Sequence, residues 1–296
     1  MAARPVAVVT GAARGIGLET ARRLAPTHQV ALLDLDEAGA ERAAAQIGRD
    51  AVWAGCDITD AESVRAAVAD VAARCGGIDV AIANAGIATA GALRHLDPDV
   101  LAAQLNVNLT GSWRFVHACL PHVIERRGYV LGVSSASALV APSGLGHYAA
   151  SKAGLEHLLD VLRVEVAHLG VDVGIAFFSW IDTDMVRGAE HSHAAFAAMR
   201  GELRGPAGRT LPVGDAADAL LRAVQRRERI VVAPGFVRLA YWLRGLIGPL
   251  TDRDARRLAP AVDRVTAEMV AERGAFDAAM RPGDPGSGAA ARSLQR

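Results

Sequence analysis

The strongest constraint on the fold is an alternation. Seven short runs rich in Val, Ile, Ala and Leu, at residues 6–10, 29–36, 51–59, 79–86, 128–137, 171–180 and 229–234, are separated by longer stretches with helical patterning. A strand that is apolar nearly throughout must be covered on both faces. Parallel neighbours also need a crossover long enough to hold a helix. Crossovers of this kind are right-handed, so the pattern predicts an α/β fold with one doubly wound parallel sheet and helices on both faces. No internal repeat is present beyond this alternation. At 296 residues, 51% of them hydrophobic, the chain can bury a sizeable core. Its 32 basic and 32 acidic residues cancel, leaving no global field to attract nucleic acid or an anionic membrane.

The alternation weakens after Trp180. Residues 1–235 are expected to form the catalytic domain, with 186–212 as a substrate lid of helix and loop. Residues 236–280 read as a helical C-terminal extension. Its first part, "GFVRLAYWLRGLIGPL" at 235–250, is apolar and aromatic, and residues 252–280 are rich in arginine. The apolar part could cover a pocket mouth, enter a subunit interface or lie on a membrane surface. Arg238, Arg244, Arg253, Arg256 and Arg257 are compatible with a membrane surface, but ordinary packing or oligomer burial is the preferred expectation. Residues 281–296 have the composition of a disordered tail. Cys56, Cys75 and Cys119 lie far apart in or beside apolar runs, as buried thiols of a reducing compartment do. The N-terminus enters a strand at once, and no run of 18 apolar residues occurs. A cytoplasmic protein is therefore expected.

The first apolar run leads into Thr10-Gly11-Ala12-Ala13-Arg14-Gly15-Ile16-Gly17 and then a helical stretch. A glycine turn between strand and helix lets backbone N–H groups approach a pyrophosphate at the helix N-terminus. The spacing is GxxxGxG, not GxGxxG. Asp34 ends the second run, where a carboxylate would accept hydrogen bonds from an adenosine ribose. The same charge would repel a 2′-phosphate, so Asp34 argues for NAD over NADP. Arg14 argues weakly the other way. The competing reading of Asp34 is a helix N-cap at a strand end. Tyr148 and Lys152, in "HYAASK", stand four apart at the start of a helical pattern and so share one face. Such a pair is ordinarily a solvated edge, and only its context can assign it chemistry.

That context resembles the short-chain dehydrogenase/reductase family. "TGAARGIG" matches the family's TGxxxGxG turn. Asp57, followed by Ile58 in "CDIT", matches the aspartate that meets the adenine. Asn84, Ala85 and Gly86 match its NNAG element, with Ala83 in place of the first Asn. Asn108 in "NVNLTG" matches the active-site asparagine. Ser135, 13 residues before Tyr148, completes the Ser…Tyr-xxx-Lys pattern with Tyr148 and Lys152. The resemblance covers about residues 5–235 and implies a Rossmann fold binding a nicotinamide dinucleotide.

It also implies roles. Tyr148 would be the general acid/base, its phenolate favoured by the ammonium of Lys152 one turn away. Lys152 would also reach the nicotinamide ribose. Ser135 would hold the substrate oxygen, and Asn108 would anchor a water linking Lys152 to solvent. Ser134 competes with Ser135, but successive strand residues face opposite sides and the family spacing favours Ser135. His147 would border the substrate. His191 and His193 have no partner at ligand spacing, so no metal site is expected.

One departure is clear. Phe178-Ser179 stands where the family has Pro-Gly, although Ile181 and Thr183 remain as candidate contacts to the nicotinamide carboxamide. Trp180 could pack on the nicotinamide or fill the core. Met185, Phe196 and Met199 give the lid an apolar character that suits an apolar substrate. The expected function is an NAD(H)-dependent oxidoreductase interconverting a secondary alcohol and a ketone, forming homodimers or homotetramers as the family commonly does. The alternatives are an NADPH-dependent 3-oxoacyl thioester reductase and a non-catalytic dinucleotide-binding scaffold.

Overall fold

The computed structural model describes residues 4–203 and 205–279. Seven strands form one parallel sheet: β1 (Val6–Thr10), β2 (Gln29–Asp34), β3 (Val52–Gly55), β4 (Val80–Ala83), β5 (Tyr129–Ser135), β6 (Asp172–Phe178) and β7 (Ile230–Ala233). Their order is β3-β2-β1-β4-β5-β6-β7. The two-residue period of a strand divides the core in two. In β1, Val6 and Val8 enter one cluster while Ala7 and Val9 enter the other.

On one face lie α1 (Gly15–Leu24), α2 (Glu37–Ile47) and α9 (Val213–Arg226), which supply Leu24, Ala43 and Leu220. On the other lie α3 (Ala61–Cys75), α5 (Ser112–Glu125) and α6 (Gly146–Val166), which supply Val68, Phe115 and Leu159. The doubly wound reading therefore holds, and its reason is visible in the strands: both faces are apolar, so both need helices.

The strand order reverses between β1 and β4. There the crossovers leave the sheet in opposite directions and open a crevice beyond the carboxyl ends. Glycine turn, Asp34, Asp57, Asn84 and Ser135 all sit at those strand ends.

The pattern over residues 97–126 predicts one long, bent helix; the structure has α4 (Pro98–Leu105), a π-helical segment at Asn106–Gly111, and α5. The lid contains α7 (Asp184–Ser192) and α8 (Ala194–Glu202). The two segments of the C-terminal extension are one 38-residue helix, α10 (Phe236–Arg273), despite prolines at 249 and 260. Packing at both ends overrides the local breaks: Val237 and Tyr241 are buried near its start, and Val262 and Met269 near its end. Tyr241 lies 5.3 Å from Phe177 of β6, ring to ring. The outward side of its first turns is apolar and exposed at Phe236, Leu239, Trp242, Leu243 and Leu246. Among the described residues, no helix is long and apolar enough to cross a membrane. The expected tail at 281–296 lies outside the described residues.

Candidate active site

A cavity of about 250 Å³ follows the crevice. Gly11, Arg14, Gly15 and Ile16 line one end, with Asp34, Asp57 and Ile58 beside them. Asn84, Ala85 and Gly86 line its middle. Ser135, Tyr148, Lys152, Ile181 and Thr183 line the other end. Gly17 and Asn108 stand behind this wall.

The glycines are needed for two separate reasons. Gly11 and Gly15 have φ of +64° and +58°, where a side chain would be strained. Gly17 is needed for space: a methyl group there would collide with the Gly11 carbonyl and lie 2.7 Å from Asn84 Nδ2. The turn is tied to β4 by its neighbours. Thr10 Oγ1 accepts from Asn84 N at 3.0 Å and Ala85 N at 3.1 Å. Asn84 Nδ2 donates to the Thr10 carbonyl at 2.9 Å and the Gly11 carbonyl at 3.2 Å. Both amide hydrogens of Asn84 are thus committed to holding the cradle. The result is a turn whose backbone can be approached closely at Gly11 and Gly15, which fits a dinucleotide pyrophosphate.

Asp34 Oδ2 accepts from Ala13 N at 2.9 Å, and Oδ1 from Asp36 N at 3.0 Å. It is Asp36, not Asp34, that caps α2 by accepting from Gly39 N at 2.9 Å. Asp57 Oδ1 accepts from Thr59 N and Thr59 Oγ1, at 2.9 and 2.6 Å. Cys56 sits beside it, its thiol pushed up to about 12 by burial and then by Asp57 and Asp34. Cys119 is fully buried and also raised by burial, so both are inert packing groups.

At the other end, the two adjacent serines part as strand geometry requires. Ser134 Oγ donates to the Lys152 carbonyl at 3.0 Å. Ser135 Oγ receives the Ser137 backbone N–H at 3.1 Å and the Ser137 hydroxyl at 3.0 Å, and Ser135 lines the cavity together with Tyr148. Lys152 Nζ donates to the Val133 carbonyl at 2.8 Å and lies 5.9 Å from the Tyr148 ring centre. Burial lowers the Lys152 ammonium to about 8.

Burial raises the Tyr148 phenol above its usual value, and Ser135 opposes that rise. The ammonium is turned toward Val133. The Asn108 side-chain amide is bonded within the protein. Its Nδ2 donates to the Ile87 carbonyl at 2.9 Å and Ser151 Oγ at 3.0 Å, while Oδ1 accepts from Ile87 N at 2.8 Å. It staples the loop after β4 to α6. A methyl group on Gly86 would lie 3.1 Å from Asn108 Oδ1 and 3.4 Å from Lys152 Nζ, so the backbone here runs close to both side chains.

With the geometry in hand, the chain can be set beside known proteins. A sequence model described as short chain dehydrogenase matches residues 5–194. The chain belongs to the short-chain dehydrogenase/reductase family. It is 35% identical over 207 residues to cis-4-hydroxycyclohexanecarboxylate dehydrogenase of Sinomonas cyclohexanicum, covering 67% of this chain and 82% of that one. An uncharacterized NAD-dependent oxidoreductase of Mycobacterium tuberculosis is 34% identical over 200 residues, 61% of this chain and 73% of its own. Among solved structures, a 3-ketoacyl-(acyl-carrier-protein) reductase from Brucella melitensis complexed with NADH superposes with a TM-score of 0.69. It is 26% identical and covers 77% of this chain and 96% of that one. The protein is therefore an oxidoreductase of this family.

In this short-chain dehydrogenase the altered Phe178-Ser179 step leaves the path well pinned. Phe178 extends β6 opposite Ala233, and Ser179 N donates to the Ala233 carbonyl at 3.0 Å. Asp182 N and Leu211 N then tie residues 180–182 to the segment before α9. Thr183 caps α7. Trp180 turns to the lid, 5.6 Å from the Phe196 ring and under the Arg200 guanidinium at 4.4 Å.

Phe196 and Met199 close onto Ala90, Leu145 and Val262, with Tyr148 and Trp180 at the edge of this cluster. Val262 belongs to α10, which also clasps the loop after β4. Thr266 Oγ1 accepts from Ala92 N at 3.0 Å, and Asp263 accepts from Arg94 Nε at 2.6 Å and meets His95 Nε2 at 3.1 Å. His147 is buried beside Tyr148, and burial lowers its pKa. Sequence reasoning missed the Thr10 hydroxyl, the Val133 carbonyl and this α10 contact. Only Thr10, fixed within the glycine motif, offered a signal.

Proposed function

We propose that this chain is an NAD(H)-dependent oxidoreductase that interconverts a secondary alcohol and a ketone on an apolar small molecule, with Tyr148 as the general acid/base. The observation that carries the reading is that Ser135, Tyr148 and Lys152 share the wall of one end of a cavity whose other end is the glycine turn. The dinucleotide, when bound, supplies or takes the hydride. Ser135 and Tyr148 place two hydroxyls where the oxygen of a ketone gains negative charge, and Tyr148 donates the proton in reduction or accepts it in oxidation. Lys152 adds positive charge near the phenol and, as the family resemblance implies, reaches the nicotinamide ribose. Asn108 acts as a positioning residue through Ile87 and Ser151.

Asp34 supports NAD over NADP. Its oxygens accept backbone N–H groups, keep lone pairs for ribose hydroxyls, and would repel a 2′-phosphate. The apolar cluster of Phe196, Met199 and Val262 supports an apolar substrate frame. The exposed apolar side of α10 supports burial against a second copy of the chain, as a dimer or tetramer. Light scattering on the purified protein checks this, and a monomer would count against it.

A second reading, an NADPH-dependent 3-oxoacyl thioester reductase, draws on Arg14 at the cavity and the likeness to a 3-ketoacyl reductase. Paired titrations with NADH and NADPH, read by cofactor fluorescence, separate the two. The Tyr148→Phe variant should bind NADH nearly as well as the parent while losing turnover. Substantial residual turnover would defeat the role assigned to Tyr148.

A further inference from the structure

Beside the main cavity lies a second one, of about 10 Å³, lined by Ala88, Thr89, Ala90, Met185, Ala189, His193 and Phe196. That is room for about one oxygen atom. Thr89 and His193 are 2% and 3% exposed, yet Thr89 Oγ1 and His193 Nε2 have no hydrogen-bond partner among the described residues. Two residues with orphaned polar atoms lining one small void are unusual, because buried polar groups are nearly always paired. They come from separate parts of the chain, the loop after β4 and the junction of α7 with α8, and meet only where the lid closes.

The chemistry offered is specific. His193 Nδ1 accepts from Phe196 N at 3.3 Å, so in the neutral ring the proton sits on Nε2 and that atom is a donor. Burial, followed by the nearby charge of Arg273, lowers the His193 pKa and keeps the ring neutral. The carbonyls of Ala278 and Ala279 lie near the ring, but neither meets Nε2 with hydrogen-bond geometry. The Thr89 hydroxyl adds a second donor. Its backbone is fixed, since Thr89 N donates to Gln104 Oε1 at 3.0 Å while Gln104 Nε2 holds the Ile87 carbonyl at 2.7 Å. Met185 lines both cavities and is the partition between them. A thioether side chain of this kind moves readily.

We infer that Thr89 and His193 form a polar subsite that takes a second acceptor oxygen of the substrate, remote from the carbon that is oxidised or reduced. The natural substrate is then an apolar frame with two oxygen functions, not a simple alcohol. This inference rests on the proposed alcohol–ketone chemistry for its choice of ligand.

The test measures affinity, not turnover. Ketones of the alkanone and cyclohexanone type, each with a hydroxyl at increasing distance from the carbonyl, are titrated into the protein–NADH complex beside their unsubstituted parents. At least one hydroxyketone should bind about tenfold tighter than its parent, as a satisfied pair of buried donors would give. The matching keto-acids show whether a carboxylate, which Arg273 would favour, binds more tightly still.

Thr89→Val removes only the hydroxyl. His193→Asn keeps a helix-capping side chain and removes the distal N–H. Each should reduce the preference to about twofold, and unchanged NADH affinity reports intact folding. If no hydroxyketone or keto-acid gains over its parent, or if both variants keep the preference, the inference is overturned and the void holds a trapped water. If the preference is present but no ketone is ever reduced, the redox reading fails and the subsite stands.

Discussion

A tyrosine hydroxyl that must work as both acid and base is defined by its surroundings. Burial holds the Tyr148 phenol above its ordinary pKa, with Ser135 pulling the other way. A raised pKa widens the range in which the proton is present, so reduction, which uses the acid, should hold through neutral pH and decline only in alkali. Oxidation, which uses the base, should keep rising into alkali, and pH profiles of kcat/KM in both directions check this. If oxidation instead reached its plateau below neutrality, bound cofactor would have to reverse the shift. At Asp34, substitution by Ala removes the charge facing a 2′-phosphate, so the NADH-to-NADPH affinity ratio should fall at least tenfold. Gly17→Ala forces a methyl group against the Gly11 carbonyl and should cost about 1–3 kcal/mol by denaturant unfolding, together with cofactor binding. Ser135, Tyr148, Lys152 and the glycines were legible in the sequence because their motif spacings are local. The partners of Asn108 were not, since Ile87 and Ser151 meet it only through the fold.

Helices and strands were legible to different depths. The seven strands announced themselves by continuous apolar runs, whereas their order came only with the structure. Two helical features did not show. The π-helical segment at Asn106–Gly111 has ordinary helix-forming neighbours, and only the packing of Asn108 against Ile87 and Ser151 reveals its use. Helix α10 looked like two pieces because Gly245, Gly248 and the prolines at 249 and 260 punctuate it, whereas contacts at each end keep it whole. Its distal half and α8 form the roof over Tyr148. Phe196→Ala should therefore lower stability by about 3 kcal/mol and raise the substrate KM, while leaving the Kd for NADH unchanged. A calorimetric titration that showed NADH binding lost in this variant would mean that the roof also supports the cofactor end.

For the molecule as a whole, cofactor binding and folding are linked, because the cradle exists only when β1, β2 and β4 are assembled. Saturating the protein with NADH at about a hundred times its Kd should add about 2.7 kcal/mol of stability and raise Tm by roughly 5 °C or more in a thermal scan. NADPH at the same concentration should do less if Asp34 governs the choice. At this scale the fold class was readable from pattern alone, while the route of residues 236–273 over the substrate end was not, because nothing local encodes which surface a helix will meet. The family match stops at residue 194, the first residue of α8, so most of the roof comes from chain that lies beyond it. Phe196, Met199 and Val262 of that roof lie downstream of the matched stretch, while Ala90, Leu145 and Tyr148 beneath them lie within it. Mutation or recombination downstream can therefore reshape one side of this cluster while the glycine turn and the Tyr148 end of the cavity are inherited unchanged.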